Sequence, residues 1–285
     1  MTDQSTSQVS TSTPAVESYS HRGNPAFESE LALRTAANET AFFLPILHAG
    51  MRVLDLGCGP GSITLGFAQA VAPGEAVGVD LQPSQVAQAQ ALSVAWGVTN
   101  ARFEVADVYS LPFPDGFFDA VFAHAVLMHL REPVRALEEV RRVLRSGGIA
   151  GVRDSDWGGR IHAPMTPLLE QWYAITVRVR QHNGGDPFMG RHHRRLLLDA
   201  GFVRAEASVS VASWTAGTLE ATRRCANFLN AQLHGFAQTA LAEGWMDQTT
   251  VEAVSAEIDA WAERPDALYV EMMCEAIGWV TEGER

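Results

Sequence analysis

Hydrophobic positions between residues 51 and 153 fall in short apolar runs that alternate with amphipathic segments. The runs predict strands buried on both faces, and the segments between them predict surface helices. The predicted strands cover residues 51–56, 76–80, 101–105, 118–123 and 148–153, and the predicted helices cover residues 62–71, 84–96 and 133–144. This alternation predicts an α/β fold, a Rossmann-like sheet with helices on both faces, whose ligands bind beyond the carboxyl ends of the strands.

The pattern changes after residue 153, where longer helical segments rich in aromatic residues take over. Helices are predicted at residues 167–181, 190–200, 219–241 and 250–264, and an alternating strand is predicted at residues 203–211. Residues 267–280 fit a helix or a strand, and we favour a strand. The expected sheet is seven-stranded and mostly parallel, with an antiparallel last strand.

The N-terminal part of the chain predicts a tail followed by helices. Residues 1–20 are rich in Ser, Thr and Gln and predict a disordered tail. Residues 24–48 are helical in pattern until Pro45, which should break the helix. We expect these N-terminal helices to cover the strand ends as a lid, together with residues 157–188 and 216–264. The expected domain organisation is a disordered tail (1–20), a cofactor-binding core with the N-terminal helices (21–155), and residues 156–285, which add the lid insertions and the last strands to the same domain.

Composition and charge narrow the function. The 285 residues are 47% hydrophobic and carry a formal net charge of -12, with a pI near 5.2. Such an acidic chain repels phosphates, so a nucleic-acid partner is disfavoured and a small-molecule substrate is expected. The sequence contains no lysine, which excludes a lysine Schiff base or a P-loop lysine.

Cysteine usage and hydropathy predict a cytoplasmic protein without a metal site. Cys58, Cys225 and Cys274 are far apart and form no CxxC or Cys/His ligand pattern. No secretory signal is apparent, and no run approaches the roughly 18 apolar residues of a membrane span. We therefore expect no contact with a membrane. A homodimer formed through the helices stays open.

A glycine-rich turn, Gly57-Cys58-Gly59-Pro60-Gly61, joins the first predicted strand to the next helix. Glycines admit positive φ, and a helix N-terminus offers free N–H groups, so this turn suits NAD, FAD or S-adenosylmethionine (SAM). A dinucleotide fingerprint places its third glycine where Ser62 stands, whereas Gly61 comes one position early. The spacing therefore argues against NAD.

Two carboxylates follow the next two strands. Asp80 ends the second predicted strand, where a carboxylate grips a ribose diol. This supports a nucleoside ligand without choosing between NAD and SAM. Asp107 follows the third strand, where it could accept a hydrogen from an adenine amino group while the Val108 N–H donates to a ring nitrogen.

The motifs as a set resemble class I SAM-dependent methyltransferases, in the UbiE-like, methyltransferase type 11 branch. The resemblance covers roughly residues 50–157. It rests on Leu-Asp-Leu-Gly-Cys-Gly-Pro-Gly at 54–61, Gly-Val-Asp at 78–80, Ala-Asp-Val at 106–108, Leu-Pro-Phe-Pro-Asp at 111–115 and Leu-Arg-Ser-Gly-Gly at 144–148. One small departure is Ser146, which stands where the family usually has proline.

The resemblance implies SAM as the cofactor, with S-adenosylhomocysteine (SAH) as its product. It implies that Asp55 and the glycine turn face the methionine part, that Asp80 holds the ribose and that Leu81 packs on adenine. The N-terminal segment of the family often folds over this pocket, where Arg34 could reach a carboxylate. The expected cofactor residues are Arg34, Asp55, Gly57, Cys58, Gly59, Gly61, Asp80, Leu81, Asp107, Val108 and His124.

The catalytic candidates lie at or just after the ends of the fourth and fifth strands. SAM carries its own leaving group, so a general base is optional. His124 could take a proton or merely close the cofactor pocket. His129 is a weaker candidate, since a histidine in a helical stretch is commonly structural. Asp154 could act as a base or lie in a solvated acidic loop.

The substrate candidates are more dispersed. We expect a small hydrophobic or aromatic metabolite, methylated on O, C or N, because the lid segments are rich in Trp, Phe and Met. Most of the candidates could equally be packing or surface residues. They are Tyr19, Asp156, Trp157, Glu170, Tyr173 and Arg191.

Three other functions stay open from the sequence. A protein of the same fold that has lost methyl transfer, serving as a cyclase or a binding module, would carry the same cofactor motifs. An NAD-dependent oxidoreductase shares the fold class but needs the missing third glycine. A protein or tRNA methyltransferase is disfavoured by the acidic pI and by the lack of an Asn/Asp-Pro-Pro-Tyr stretch after the fourth strand.

Overall fold

A computed structural model describes residues 27, 31–214 and 217–281. Its central sheet has a parallel half in the order β3-β2-β1-β4-β5. These strands are β1 (Arg52–Leu56), β2 (Glu75–Asp80), β3 (Ala101–Val105), β4 (Phe118–His124) and β5 (Leu144–Ser155). All five predicted strands of this half are therefore confirmed. The predicted tail and Tyr19 lie outside the described residues.

Helices cover both faces of this half. The connecting helices are α2 (Ser62–Val71), α3 (Pro83–Trp96) and α4 (Pro133–Val143), as predicted. Helix α3 begins with a proline in its first turn and ends at Gly97, whose φ of 65° closes the helix in a left-handed conformation. Helix α4 buries Ala136, Leu137 and Val140 on one side, which fixes it against the sheet.

An antiparallel half extends the sheet beyond β5. Strand β8 (Leu268–Trp279) runs antiparallel between β5 and β7 (Arg204–Ser213). The short strand β6 (Ile161–Ala163) pairs with the start of β8, in line with β5. The expected α/β fold and antiparallel last strand are confirmed. The described part of the chain has eight strands where seven are expected, because the three residues of β6 are too few to leave a periodic pattern.

Three helices cover the carboxyl ends of the strands. They are α5 (Pro167–His182), α7 (Leu219–Ala242) and α8 (Gln248–Ala262), close to their predicted bounds. They share a second hydrophobic core, to which Phe27 is added by stacking on Phe228 with ring centroids 5.5 Å apart. None of the helices in the described ranges is long and apolar enough to cross a membrane.

Two predicted helices differ from the structure. The segment predicted at 190–200 opens as a 3₁₀ turn (Met189–His192) and only then becomes α6 (His193–Asp199). The described part of residues 24–48 contains the short α1 (Ala36–Glu39) and a 3₁₀ turn (Leu44–Ile46). The sequence predicts that Pro45 breaks a helix, but α1 has already ended at Glu39. Pro45 lies instead in the first turn of the 3₁₀ segment, where the missing N–H costs no hydrogen bond.

Candidate active site

A cavity that opens to solvent lies at the carboxyl ends of β1 to β5, below the three helices. We call its two walls the turn side and the lid side. The turn side is formed by Asp55, Gly57, Cys58, Gly59, Asp80, Leu81, Gln85, Asp107 and Val108. The lid side is formed by Phe27, Met128, His129, Trp157, Arg160, Arg180, Phe228, Gln232, Glu271 and Met273. Arg34 and His124 also line the cavity.

Each glycine of the turn is required for a different structural reason. Gly57, Gly59 and Gly61 all adopt positive φ, at 68°, 51° and 86°. A Cβ on Gly61 would lie 2.6 Å from the Ala89 Cβ, and one on Gly57 would lie 2.5 Å from a Val126 methyl. A Cβ on Gly59 would meet nothing closer than 3.8 Å. Gly59 therefore leaves its backbone open to the cavity, whereas Gly61 serves the packing of α2 against α3 and β3.

Asp80 ties the turn to the end of β2. One carboxylate oxygen accepts the Gly59 N–H at 3.0 Å, and the other accepts the Gln82 N–H at 2.9 Å. The next residue, Leu81, is 52% exposed although it is apolar, and it borders the cavity. Asp107 follows β3 and accepts the Tyr109 N–H at 2.9 Å. A carboxylate, an open apolar surface and a second carboxylate thus follow one another along this wall.

The electrostatics of the turn side favour a cation. Asp55 is buried, and burial, together with the nearby charge of Asp80, raises the pKa of its carboxyl to about 7 despite a hydrogen bond from Thr64. Burial also raises the pKa of the Cys58 thiol, so that group stays neutral. The carboxylates of Asp80 and Asp107, together with the ionised form of Asp55, repel a pyrophosphate and attract a positively charged ligand.

His124 lies at the end of β4 within a buried polar network. Its Nδ1 is 3.4 Å from an Arg153 guanidinium nitrogen, which also binds Glu39 of α1 at 2.5 Å. Its Nε2 is 3.6 Å from the Glu39 carboxylate. Burial and the charges of Arg34 and Arg153 hold the pKa of His124 well below its usual range, so the ring is neutral.

The other two catalytic candidates have different surroundings. His129 lines the cavity, and burial and the charge of Arg180 lower its pKa to about 3. Asp154 is fully buried and is not among the cavity-lining residues. Its carboxylate lies 2.8 Å from His193 Nε2 and 3.4 Å from the Met128 N–H, so it supports the segment after β4. The catalytic roles of all three residues stay predictions.

The lid side holds buried charged groups around Trp157. The Arg160 guanidinium carbon lies 3.5 Å from the Trp157 ring centroid, and that of Arg180 lies 4.8 Å from it. Glu271 of β8 accepts a hydrogen bond from Arg160. Gln232 of α7 is 4% exposed, and its Oε1 has no hydrogen-bond partner in the described part of the chain. Apart from Trp157, these residues carry no motif and leave no sequence signal.

The structure separates the predicted substrate residues. Trp157 lines the cavity, and Tyr173 packs edge-on against it while lying 2.9 Å from His162 Nδ1. Asp156 and Arg191 bind each other through two hydrogen bonds of 2.6 and 2.7 Å, beside the cavity wall. Glu170 is exposed on α5. Substrate contact by these residues stays a prediction.

No group of three or more His, Cys, Asp or Glu side chains in the described ranges could hold a metal ion. The described cysteines are all buried and free of disulfides. Carboxylates, backbone groups and aromatic rings form the wall of the cavity.

Comparisons with known proteins agree with this geometry. A family model described as a methyltransferase domain matches residues 47–186. An uncharacterised methyltransferase of Schizosaccharomyces pombe is 32% identical over 212 residues, which cover 71% of this chain and 75% of that protein. The ubiquinone/menaquinone biosynthesis C-methyltransferase UbiE of Hahella chejuensis is 39% identical over 132 residues, 45% of this chain and 50% of that protein. The structure also resembles the crystal structure of the 4+2 cyclase SpnF, with a TM-score of 0.51 and 25% sequence identity. The superposition covers 90% of this chain and 81% of the SpnF chain.

The fold and the turn side thus define a class I methyltransferase. The chain belongs to the SAM-dependent methyltransferase family, with UbiE enzymes among its relatives. Its cofactor is SAM. The residues fit this cofactor, because the carboxylates suit its sulfonium and ammonium charges, and the buried Gln85 Oε1, unpartnered among the described residues, offers one more acceptor.

Proposed function

We propose that the enzyme methylates O, C or N of a small, hydrophobic or aromatic metabolite. The observation that carries this proposal is the lid side, where Phe27, Trp157 and Phe228 join Met128 and Met273 around the cavity. Aromatic and thioether side chains form pockets for planar or irregular apolar ligands. A large and charged macromolecular substrate would need an open basic surface instead.

The turn side is proposed to hold the cofactor. Asp80 would bind the ribose hydroxyls, and Leu81 would pack on the adenine. Asp107 would accept a hydrogen bond from the adenine amino group, and the Val108 N–H would donate to a ring nitrogen. Asp55 and the Gly59 backbone would face the methionine part. When bound, SAM supplies an activated methyl group on its sulfonium. The residues of the chain then orient the acceptor towards that group and exclude water.

His124 and His129 are proposed to contribute hydrogen bonds as neutral rings. An imidazole whose pKa lies far below neutral pH is a weak base, so it removes protons poorly from an acceptor at pH 7. Both rings border the cavity, where a neutral N–H or ring nitrogen can orient a polar atom of the acceptor. Asp154 is proposed to hold the segment after β4 in position, because its carboxylate accepts the Met128 N–H.

A methyl-transfer assay tests this function. The full chain is incubated with methyl-labelled SAM and separate panels of phenols, aromatic amines, carbon acids and RNA, and SAH formation is followed in parallel. We expect label in one class of small molecule, with an equal amount of SAH. Label in RNA instead would overturn the proposal.

The other function open from the sequence is a SAM-fold protein without methyl transfer, and the similarity to a cyclase structure favours keeping it as the second candidate. Tight SAH binding without labelled product across all panels would support that candidate. Binding of NADH in place of SAH would contradict both. Dimerisation and a cytoplasmic location stay predictions.

A further inference from the structure

A buried amide oxygen without a hydrogen-bond partner lies on the lid side. Gln232 of α7 lines the cavity and is only 4% exposed. Its Oε1 atom is buried and accepts no hydrogen bond from the described part of the chain. Such an oxygen has lost its hydrogen bonds to water and gains none from the protein, which costs stability. In a cavity wall, an unsatisfied atom of this kind is a candidate contact for a ligand.

The helix around Gln232 offers no donor for this oxygen. Phe228 and Gln232 are four residues apart, so they lie on one face of α7, and both line the cavity. Leu229, Leu233 and Phe236 pack in the second hydrophobic core and have no polar side-chain atoms. The backbone N–H groups inside the helix are used by the helix itself. A ligand in the cavity can supply the donor, because the last side-chain torsion of a glutamine turns easily.

The same wall also holds donors without acceptors. Trp157 lines the cavity, and its indole N–H finds no acceptor among the described residues. The same is true of Nε and Nη1 of Arg160. Arg160 and Glu271 bind each other, so this ion pair is neutral by itself and requires no charged ligand. A ligand that satisfies this wall therefore brings a donor for Gln232 and an oxygen that can accept.

We propose that the methyl acceptor is a neutral hydroxyl compound whose O–H donates to Oε1 of Gln232. This inference rests on the proposed function and narrows its substrate class. A hydroxyl group both donates and accepts, so it brings the donor that Gln232 lacks and an oxygen for the donors of Trp157 and Arg160. An indole N–H only donates. A phenolate or a carboxylate has no proton to give to an amide oxygen.

Matched pairs of probes test the need for the donor. They are 4-ethylphenol, 2-naphthol and 2-phenylethanol, each with its methyl ether, and indole with 1-methylindole. Each methyl derivative has lost the donor, and the ethers keep the oxygen. Binding to the SAH-loaded full chain is measured by ligand-observed NMR titration at pH 7, where phenols are neutral. We expect at least one hydroxyl compound to bind about threefold to tenfold more tightly than its ether, the value of one neutral hydrogen bond.

Gln232→Met should have opposite effects on binding and on stability, which excludes a merely structural role. It should reduce the preference for the hydroxyl compound over its ether by about threefold to tenfold. It should also raise the midpoint of thermal unfolding of the ligand-free chain by about 2 °C or more, because an unpaired buried oxygen is removed. A general disturbance of the pocket would lower both quantities. Gln238→Met is the matched control, because Gln238 is exposed on the same helix.

A Gln232→Met chain that is unfolded or less stable than the wild type would show that the amide is already satisfied, and this overturns the inference. An unchanged preference for the hydroxyl compound in this variant does the same, as does a preference confined to indole. A wild type that binds SAH yet prefers no hydroxyl compound over its ether also overturns it, and leaves the cofactor side intact. A wild type that fails to bind SAH would instead count against the proposed function, so the two failures are distinguishable.

Discussion

The Nδ1 atom of His124 lies 3.4 Å from a guanidinium nitrogen of Arg153. Arginine only donates hydrogen bonds, so Nδ1 must accept and the ring proton resides on Nε2, which points towards the carboxylate of Glu39 at 3.6 Å. Arg153 also contacts Glu275 at 3.4 Å, which joins α1, β4, β5 and β8 in one buried network. His124 is thereby fixed as a neutral ring.

Neutral buried histidines predict acid sensitivity. The folded-state pKa of His124 lies well below 6.5, and those of His129 and His162 are about 3 and 4. Below pH 6.5 the unfolded chain binds protons that the folded chain does not, so this stability is present above pH 6.5 and is lost as the pH falls. Each such ring lowers the free energy of unfolding by about 1.4 kcal/mol per pH unit between its two pKa values.

Denaturant unfolding at pH 7, 6, 5 and 4 measures this effect. His129→Gln should flatten the fall in stability between pH 6 and 4. His234→Gln serves as control, because that ring is exposed on α7 and hydrogen-bonds to the Asn230 carbonyl of its own helix. Equal slopes for the wild type and His129→Gln would contradict a ring that stays neutral in the folded chain because its pKa is lowered.

The raised pKa of Asp55 predicts that SAM affinity depends on pH. In the free protein its carboxyl has a pKa near 7, and the ionised form binds a cation better. Affinity should therefore rise as the pH increases from 5 to about 7, by up to about tenfold per unit, with release of a proton on binding. Calorimetry in buffers of different ionisation enthalpy measures both quantities.

Two comparisons control this result. SAH lacks the sulfonium charge, so its affinity should depend less on pH. Asp55→Asn should remove the pH dependence of SAM affinity. The variant without ligand should also be more stable than the wild type at pH 8. The reason is that the folded wild-type chain keeps the Asp55 proton up to about pH 7, whereas the unfolded chain loses it near pH 4, so the wild type loses stability over this range. A dependence that survives in Asp55→Asn would assign the titration to another group.

Gly59 and Gly61 should respond differently to the same substitution. Gly61→Ala places a methyl group 2.6 Å from Ala89 and 2.9 Å from Phe103 at a φ of 86°, so it should cost about 2–4 kcal/mol of stability. Gly59→Ala has space for its methyl and should cost only about 1 kcal/mol, yet it should weaken SAH binding because it narrows the cavity wall. Thermal unfolding with and without SAH separates the two effects, and identical behaviour of both variants would count against a cofactor contact at Gly59.

Asp80 should contribute to SAM binding in two ways, through its negative charge and through its hydrogen bond to the glycine turn. Asp80→Ala removes the acceptor of the Gly59 N–H and the proposed ribose partner, and should weaken SAM binding by roughly 1–3 kcal/mol. Asp80→Asn keeps one acceptor oxygen and should lose less. Titration of folded variants with SAM measures both, and unchanged affinity in Asp80→Ala would remove the ribose assignment.

The sequence predicts the parallel half of the sheet well because its signals are local. The strand 101–105 and the helix 62–71 match their predicted bounds in full, since each is framed by turn residues and by a change of hydrophobic period. β6 is missed because three residues carry no period. The helix predicted at 190–200 begins as an α-helix three residues late, at His193, because Met189–His192 forms a tighter 3₁₀ turn first.

The candidate site also has one part that the sequence predicts and one part that it does not. The turn side lies within one stretch of the chain, so the spacing of motifs indicates Gly59 and Asp80, and the family resemblance adds Asp55. All three line the cavity. Arg160 and Glu271 are 111 positions apart, and no pattern in a single sequence joins them. Asp156 and Arg191 are separate substrate candidates in the sequence, and only the structure shows that they pair through two hydrogen bonds.

The cavity walls have different origins along the chain. The turn side comes from a single stretch between Asp55 and Val108. The lid side gathers residues from separate parts of the chain: Phe27, Met128 and His129, Trp157 with Arg160 and Arg180, Phe228 with Gln232, and Glu271 with Met273. Insertions and exchanges in the second set leave the nucleoside grip untouched. Engineering of new acceptor selectivity can therefore begin with helix grafts on this scaffold, without redesign of its donor chemistry.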